Sequence, residues 1–396
     1  MSALTQGRHV DFAYPLEVRN RRPSALARTI NASVIAGALS VAVAHYVASE
    51  RWYVDPPSAV ARPMPASAFV TEFPELRRLE RWGGGIVALA DRLYLIEPDG
   101  RTAVPLELPG GGAVVDFAMM GETPVVLLAR PEPVLLVGKA DGRGGEWKEM
   151  PLPAALSLNH AADLRLAPDG EALVVWGAAG VFLWQRGAWT GPVDVGEIGR
   201  GGMPVHGVYA AGKLYLGYDH GEWGGALVSC DLQTGAAHPG RVAEGPGDGI
   251  GEPIRQVHRD CTGTLWATGG LAHLGYRSGS LHRLDVGQQK WVLVARTEPA
   301  MRHGHDRPGD EPFRATTFSG VAFDPSGRLH VLASSRGLVR LEADRSWTAL
   351  TPGWPNDERP VGAVVDEARA VIATDRAIVI VNLLDHSVRP VVHRLR

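Results

Sequence analysis

The 396-residue sequence contains only two cysteines and no excess of charge of either sign. Two cysteines exclude a four-cysteine zinc site and a framework of several disulfides. With 40 Lys and Arg against 43 Asp and Glu, the formal net charge is −3, so the chain lacks the basic surface that nucleic acid binding needs. It also lacks a P-loop, a dinucleotide-binding glycine motif, a nucleophile elbow and an EF-hand loop. We therefore expect no nucleic acid partner, and no common motif identifies an enzyme.

Glycine and proline, by contrast, are abundant. The 48 glycines and 29 prolines make up about 19% of the chain, against roughly 12% in average proteins. In a helix interior these residues cost about 1 and 3 kcal/mol, respectively. The composition therefore predicts many short strands joined by turns.

The N-terminal region differs in composition from the rest. Residues 1–28 are basic, and Thr29–Ser49 has no formally charged residue over a length that matches the hydrocarbon core of a bilayer. We interpret residues 29–49 as a signal-anchor helix, which makes the membrane a partner of this segment; a cleaved signal peptide and a helix packed on the main domain are the alternatives. Residues 50–74 are rich in proline and alanine, as in a linker. We expect the remaining chain to lie outside the cytoplasm, in the periplasm or at the cell surface, with a secreted or cytoplasmic protein as the alternatives.

From residue 75 to residue 396 the sequence repeats a unit of four short apolar runs separated by turns. A four-stranded unit that recurs every 40 to 50 residues or so is typical of a β-propeller, in which each sheet buries its faces against its neighbours. We therefore predict an all-β, seven-bladed propeller over 75–396. Glu75–Trp82 should supply the innermost strand of the first blade, and Val388–Val392 should lie at an outer edge. The second runs centre near residues 87, 126, 174, 215, 266, 330 and 372.

Turn motifs connect this pattern to known proteins. Asp260 to Gly263 and Asp324 to Gly327 form D-x-x-G sequences directly before a second apolar run. In these motifs the chain resembles bacterial seven-bladed β-propeller proteins with loose D-x-x-G turn repeats. The string GEWGG at 221–225 is similar to a motif in other bacterial propellers. The resemblance implies the fold and names no activity.

The long loops fall on one face of the predicted propeller. In a four-stranded blade, the loop between the second and third strands and the link to the next blade emerge on the same side. Tyr218–Ala226 and Gly269–Ser280 are long loops of repeats 4 and 5, and long links join repeats 3 to 4, 4 to 5 and 5 to 6, the last of them Thr297–Ala315. All five segments belong to repeats 3 to 6. Long loops in a compact domain are usually functional. We therefore expect this face to bind a protein partner or a small ligand through Asp219, His220, Glu222, Trp223, His273, Tyr276 and Arg314. For Trp223, packing on the next blade is the alternative.

Histidines near the predicted central channel favour a second hypothesis, an enzyme. A metal-dependent lyase or hydrolase would place its site at the channel mouth, near His160, Asp163 and His206. No cofactor is certain, but an H-x-H pair followed by a carboxylate suits a divalent metal because alternate residues of an extended segment point the same way. The candidate ligands are His303, His305 and Asp306.

Cys230 and Cys261 belong to neighbouring repeats and approach the same face of the predicted propeller. A disulfide between them and two separate small side chains are both compatible with the sequence.

Overall fold

Most of the repeat region can be described in the computed structural model. The basic segment 1–28, the apolar segment 29–49 and nearly all of the linker 50–74 lie outside the described residues. The structure describes residues 73–97, 100–130, 132–139, 146–157, 164–177, 180–193, 205–239, 252–273, 276–297, 300–301, 316–334, 337–344, 346–351 and 359–393.

Seven four-stranded antiparallel sheets follow one another along the chain, and each forms one blade. Blade 1 contains β1 (Arg78–Trp82), β2 (Gly85–Leu89), β3 (Leu93–Ile96) and β4 (Thr102–Pro105). Blade 2 contains β5 (Ala113–Met120), β6 (Thr123–Ala129), β7 (Val134–Val137) and β8 (Lys148–Met150), and a short helix, Ala154–Ser157, follows it. Blade 3 contains β9 (Arg165–Asp169), β10 (Ala172–Gly177), β11 (Gly180–Gln185) and β12 (Ala188–Val193).

Blades 4 to 7 have the same order of strands, with one insertion in blade 5. Blade 4 contains β13 (His206–Ala210), β14 (Lys213–Asp219), β15 (Gly225–Asp231) and β16 (Ala237–Pro239). Blade 5 contains β17 (Ile254–Arg259), β18 (Leu265–Gly269), β21 (Ser280–Asp285) and β22 (Lys290–Arg296), with β19 (Ala272–His273) and β20 (Tyr276–Arg277) inserted and β23 (Ala300–Met301) following. Blade 6 contains β24 (Phe318–Phe323), β25 (Leu329–Ala333), β26 (Gly337–Leu341) and β27 (Trp347–Ala349). Blade 7 contains β28 (Pro360–Val365), β29 (Arg369–Thr374), β30 (Ile378–Asn382) and β31 (Val388–Pro390), and β32 (Val392–His393) ends the described chain.

The second strand of each blade explains why the sequence shows apolar runs rather than alternation. All six residues of β10 are buried. Val174 packs in a cluster shared with blade 4, whereas Leu173 and Val175 pack in a cluster shared with blade 2. Because both faces of the strand meet a neighbouring blade, apolar residues are needed at every position. The predicted seven-bladed propeller is confirmed.

The first strands line up around a central axis. Each contacts the first strand of the next blade, and β28 contacts β1, which closes the ring. β1 is therefore innermost, as predicted from Glu75–Trp82. β31 lies at the outer edge of blade 7, but the chain continues beyond it. β32 pairs in parallel with β4 of blade 1, and Val391 between these strands is 2% exposed. A two-residue strand of this kind has no recognisable signal in the sequence.

The D-x-x-G turns have a clear physical basis. Asp324 Oδ1 accepts hydrogen bonds from the backbone N–H groups of Ser326 (3.0 Å) and Arg328 (2.9 Å), and Gly327 has a φ of 79°. The buried carboxylate thus closes the turn, and glycine supplies the left-handed conformation. Burial alone would raise the pKa of Asp324, but its hydrogen bonds with Ser326, Arg328 and His330 outweigh this effect and hold the pKa below its usual range.

Both cysteines are free thiols, so the disulfide that the sequence left open does not form. Cys230 is buried in the core shared by blades 3 and 4, and burial raises the pKa of its thiol to about 12. Cys261 is exposed.

Truncation after Pro390 tests how the ring closes. The shortened chain loses the parallel pairing with β4 and the buried side chain of Val391, so the free energy of unfolding should fall by about 2 kcal/mol or more. Denaturant unfolding of the full-length and truncated proteins measures the change. Val286→Ala is the control, since Val286 is 58% exposed and its loss should leave the midpoint unchanged. An unchanged midpoint in the truncated chain would show that blade packing alone closes the ring.

Candidate functional site

The loop between β14 and β15 is a compact, well-bonded turn. A single 3-10 turn, Gly221–Trp223, occupies it. The backbone N–H of Gly221 donates to Asp219 Oδ1 (2.8 Å), and the N–H of His220 donates to the carbonyl of Gly224 (2.9 Å). The imidazole of His220 stacks on Tyr218 with ring centroids 6.0 Å apart. These contacts fix the loop, while its Trp223 side chain remains 85% exposed.

Asp219 has a structural role in this turn. Its carboxylate forms an ion pair with Arg255 at the start of blade 5, and its side chain is only 11% exposed. One oxygen thus orders the loop of blade 4, and the other connects the loop to the next blade. The sequence predicted Asp219 as a contact residue, but the structure places it beneath the surface as a support for the turn.

The insertions of blades 4 and 5 come together. β19, β20 and β23 form a separate three-stranded antiparallel sheet, in which His273 is paired with Tyr276 and Tyr276 with Met301. The loop inside blade 5 is thereby joined to the link that leads to blade 6. The 3-10 turn of blade 4 contacts β19. The clustering of long loops that the sequence predicted therefore produces one continuous face, which we call the loop-rich face.

Three further predicted residues belong to elements of this face: Glu222 lies in the 3-10 turn, His273 in β19 and Tyr276 in β20. Among residues whose side chains are described, no group of three or more His, Cys, Asp or Glu could hold a metal ion. The predicted metal site stays a prediction, because His303, His305 and Asp306 lie outside the described residues. His160 and Asp163 of the predicted channel mouth and Arg314 of the predicted binding face lie outside them as well.

The central channel holds a second cluster of polar side chains. A cavity of about 1050 Å³ is lined by the first strands of blades 1, 4, 5, 6 and 7. His206, predicted at the channel mouth, lines it, and so does His258 of blade 5, whose ring is stacked on Phe323 with centroids 5.6 Å apart. Arg78 and Glu80 of β1 complete the cluster. Their alternation with Leu79 in the sequence RLE was a signal for channel-facing residues that the sequence analysis missed.

Side chains of the inner strands also bond neighbouring blades to one another. Arg77 of blade 1 donates to the carbonyls of Val114 and Val115 in blade 2, both at 2.9 Å. Asp116 Oδ2 of blade 2 accepts from the backbone N–H of Leu166 in blade 3 (2.9 Å). Polar residues at the inner strands therefore also hold neighbouring blades of the ring together by hydrogen bonds.

β-Bulges near the start of four inner strands change the direction in which their side chains point. One extra residue interrupts the pairing of β5, β17, β24 and β28 with the second strand of the blade. Bulges are common at barrel rims and next to sites, because they turn a side chain out of the regular alternation. In β17 the extra residue is Arg255, which pairs with Asp219 and lines the channel beside Gln256 and His258.

The two channel histidines are uncharged at neutral pH. Burial lowers the pKa of His206 to about 3, and the nearby charges of Arg78 and His258 act in the same direction. Burial lowers the pKa of His258 to about 4, against the opposing effect of Asp260. Burial raises the pKa of Glu80 above its ordinary value. At His206, His258 and Glu80 the channel wall is consequently polar but carries little charge.

Comparison with known proteins supports the fold class. No protein-family model and no curated protein matches the sequence. The fold is similar to that of a GH74 enzyme from Niastella koreensis, with a TM-score of 0.54, 13% identity and coverage of 81% of this chain and 54% of that one. It is also similar to a GH74 xyloglucanase from Xanthomonas campestris (TM-score 0.49, 15% identity, coverage 81% and 55%) and to the extracellular domain of a putative one-component system from B. thetaiotaomicron (0.49, 14%, 79% and 39%). The chain spans about half the length of these proteins or less. At such identities the similarity establishes the β-propeller fold alone.

The low pKa values of His206 and His258 predict that mild acid destabilises the protein. In the unfolded chain these imidazoles bind protons near pH 6.5, whereas in the folded protein they resist protonation until about pH 3 to 4. The unfolded state thus binds more protons between these limits, and the free energy of unfolding should fall as the pH is lowered from 6.5 to 5. Carboxylates with a lowered pKa, such as Glu252 at about 2, contribute mainly below about pH 4.5.

Urea unfolding at several pH values between 6.5 and 5 measures this dependence. A His206→Gln, His258→Gln double variant should have a flatter slope than the wild type in that interval. An equal slope in both proteins would show that other groups cause the acid sensitivity.

Proposed function

We propose that this protein is a membrane-anchored, exported β-propeller that binds a protein partner through its loop-rich face, with Trp223 as the main contact. The observation that carries the proposal is an indole 85% exposed on an ordered turn. Exposure of so large an apolar side chain is unfavourable in water, and tryptophan is among the residues that contribute most to protein interfaces.

The exposure of Trp223 favours a protein over a small ligand. Sites for small molecules are concave and enclose most of the ligand surface. An indole that projects from a turn needs instead a partner large enough to supply its own concave surface. Packing of Trp223 on the next blade, the alternative in the sequence, is incompatible with this exposure.

The turn that carries Trp223 is organised before any partner binds. Asp219 holds its start, the backbone bonds of His220 and Gly224 close it, and the ion pair with Arg255 ties it to blade 5. A partner would therefore lose little affinity to ordering of the loop. The adjoining sheet of β19, β20 and β23 widens the surface around the indole.

The anchor and the export are proposed from the sequence. An apolar segment of 21 residues follows a basic one and precedes a proline-rich linker, an order that suits a domain held at the outer side of a membrane. Within the described part of the chain, no helix has the length and apolar character of a membrane span.

An enzyme with its site at the channel mouth is the alternative function from the sequence. Its catalytic or metal-binding groups would come mainly from His160, Asp163 and the segment 303–306. No described contact favours this hypothesis over binding.

The substitution Trp223→Ala tests the binding face. A photo-crosslinking amino acid placed at position 223 of the full-length chain, in the cells that produce it, should capture one protein, which mass spectrometry identifies. Trp223→Ala should then weaken binding of that protein by about 30-fold or more, corresponding to about 2 kcal/mol for a central interface residue. The melting temperature should not change, since the indole makes little contact in the folded chain.

Leu384 provides a matched control. It is 78% exposed and lies in the turn between β30 and β31, on the face opposite the long loops. A crosslinker at 384 should not capture the same protein, and Leu384→Ala should leave its affinity unchanged. Equal capture from both positions, or a large loss of stability in Trp223→Ala, would contradict the proposal.

The anchor has its own test. Full-length protein should sediment with membranes, stay there in high salt and be released by detergent, because apolar insertion does not depend on ionic attraction. A chain lacking residues 1–50 should be recovered in the soluble fraction. Release of the full-length protein by salt alone would exclude a membrane anchor. It would not affect the binding proposal, which the Trp223 experiment tests separately.

A further inference from the structure

The central channel is large enough to hold a ligand of its own. Its volume of about 1050 Å³ lies at the upper end of the range for small-molecule sites, about 300 to 1,000 Å³. Its walls come from the first strands of five blades, which the ring holds in place. This cavity is separate in its lining from the turn that carries Trp223.

The charges in the channel wall are largely compensated within the protein. Arg78 forms an ion pair with Asp116 (3.3 Å), Arg81 with Asp366 (2.5 Å) and Arg255 with Asp219. Arg77 donates to backbone carbonyls, including that of Ala90 (2.6 Å).

Solvent and burial weaken the charges that remain. Arg359 is exposed where the first strand of blade 7 begins, so solvent screens its charge. Glu80 is the one carboxylate of β1, and it is half-buried, which disfavours its charged form. An anionic ligand would therefore find three of the five arginines of the wall already paired with aspartates.

Gln256 presents unused hydrogen-bond donors to the channel. Its Oε1 atom accepts from the backbone N–H of Val321 in blade 6 (2.7 Å), which fixes the orientation of the amide. The position of the side chain requires a glycine opposite, because a Cβ atom at Gly320 would lie 2.7 Å from Oε1. The side-chain NH2 group is therefore turned away from blade 6, and no described residue accepts a hydrogen bond from it.

His206 adds a second unsatisfied group on the neighbouring blade. Its Nδ1 atom is buried and has no hydrogen-bond partner among the described residues. A neutral imidazole has one donor and one acceptor nitrogen, and a carboxyl group such as Glu80 adds further acceptors. The wall thus offers both donors and acceptors, without a dominant charge, on β1, β13 and β17.

We propose that the central channel binds a neutral polyhydroxylated molecule, a mono- or disaccharide. A hydroxyl group donates and accepts at once, so a sugar ring suits a wall that presents the amide of Gln256, the imidazole of His206 and the carboxyl group of Glu80 to one cavity. An apolar ligand would shield these polar groups from water and leave them unpaired, which is unfavourable. The proposal does not depend on the partner-binding face, since none of its residues belongs to the turn of Trp223.

The test uses the full-length protein in detergent and isothermal titration with glucose, cellobiose and, as a charged probe, glucuronate. At least one neutral sugar should bind, and glucuronate should bind no more tightly than glucose. Gln256→Glu keeps the oxygen that accepts from Val321 and removes the NH2 donors, so it should weaken sugar binding by about tenfold or more. Gln288→Glu makes the same change of charge in an exposed turn and should have no effect.

Three results would overturn the proposal: no binding of either neutral sugar up to about 10 mM, tighter binding of glucuronate than of glucose, or unchanged sugar affinity in a folded Gln256→Glu protein. Trp223→Ala should retain sugar binding, which separates this proposal from the one on the loop-rich face. If Gln256→Glu does not fold, wild-type crystals soaked in cellobiose decide: density beside Gln256 and His206 supports the channel site, and density elsewhere or none contradicts it.

Discussion

Each sheet of this protein can bury its two faces only against its neighbours, and the rest of the structure depends on that constraint. The strand β10 is buried along its whole length because blade 2 covers one side and blade 4 the other. Blades 7 and 1 each have a face that can be buried only against the other. β28 contacts β1 at the centre of the ring, and β32 pairs with β4 at its outer edge.

Closure of the ring brings the first strands together. Their side chains both bond neighbouring blades and line the central cavity. Several polar groups at the inner strands form hydrogen bonds across blade boundaries: Arg77 with the bulged strand of blade 2, Asp116 with blade 3 and Gln256 with blade 6. Arg77 and Gln256 also line the cavity. The same bonds that hold neighbouring blades together therefore also order the channel wall.

The loops do not have to pack against neighbouring blades as the sheets do, so their length and sequence can differ between blades. In blades 4 and 5 they are ordered by local means instead: an aspartate and glycine turn, an ion pair between neighbouring blades and a small sheet made of the insertions themselves. Trp223 is therefore exposed on a turn that these contacts hold in one conformation. A rigid scaffold with variable loops on one face allows partner binding without any change to the core.

The sequence by itself determined the number of blades, the position of β1 and the turns at Asp260 and Asp324, because apolar runs and turn residues act over a few neighbouring positions. It also indicated which face carries the long loops, since that follows from the order of strands. Only the tertiary structure decided that Trp223 is exposed, that Asp219 supports the turn and that Cys230 and Cys261 stay apart. The same holds for the interblade bonds of Arg77 and Gln256. These features depend on distances between residues far apart in the chain, and only the closed ring sets those distances.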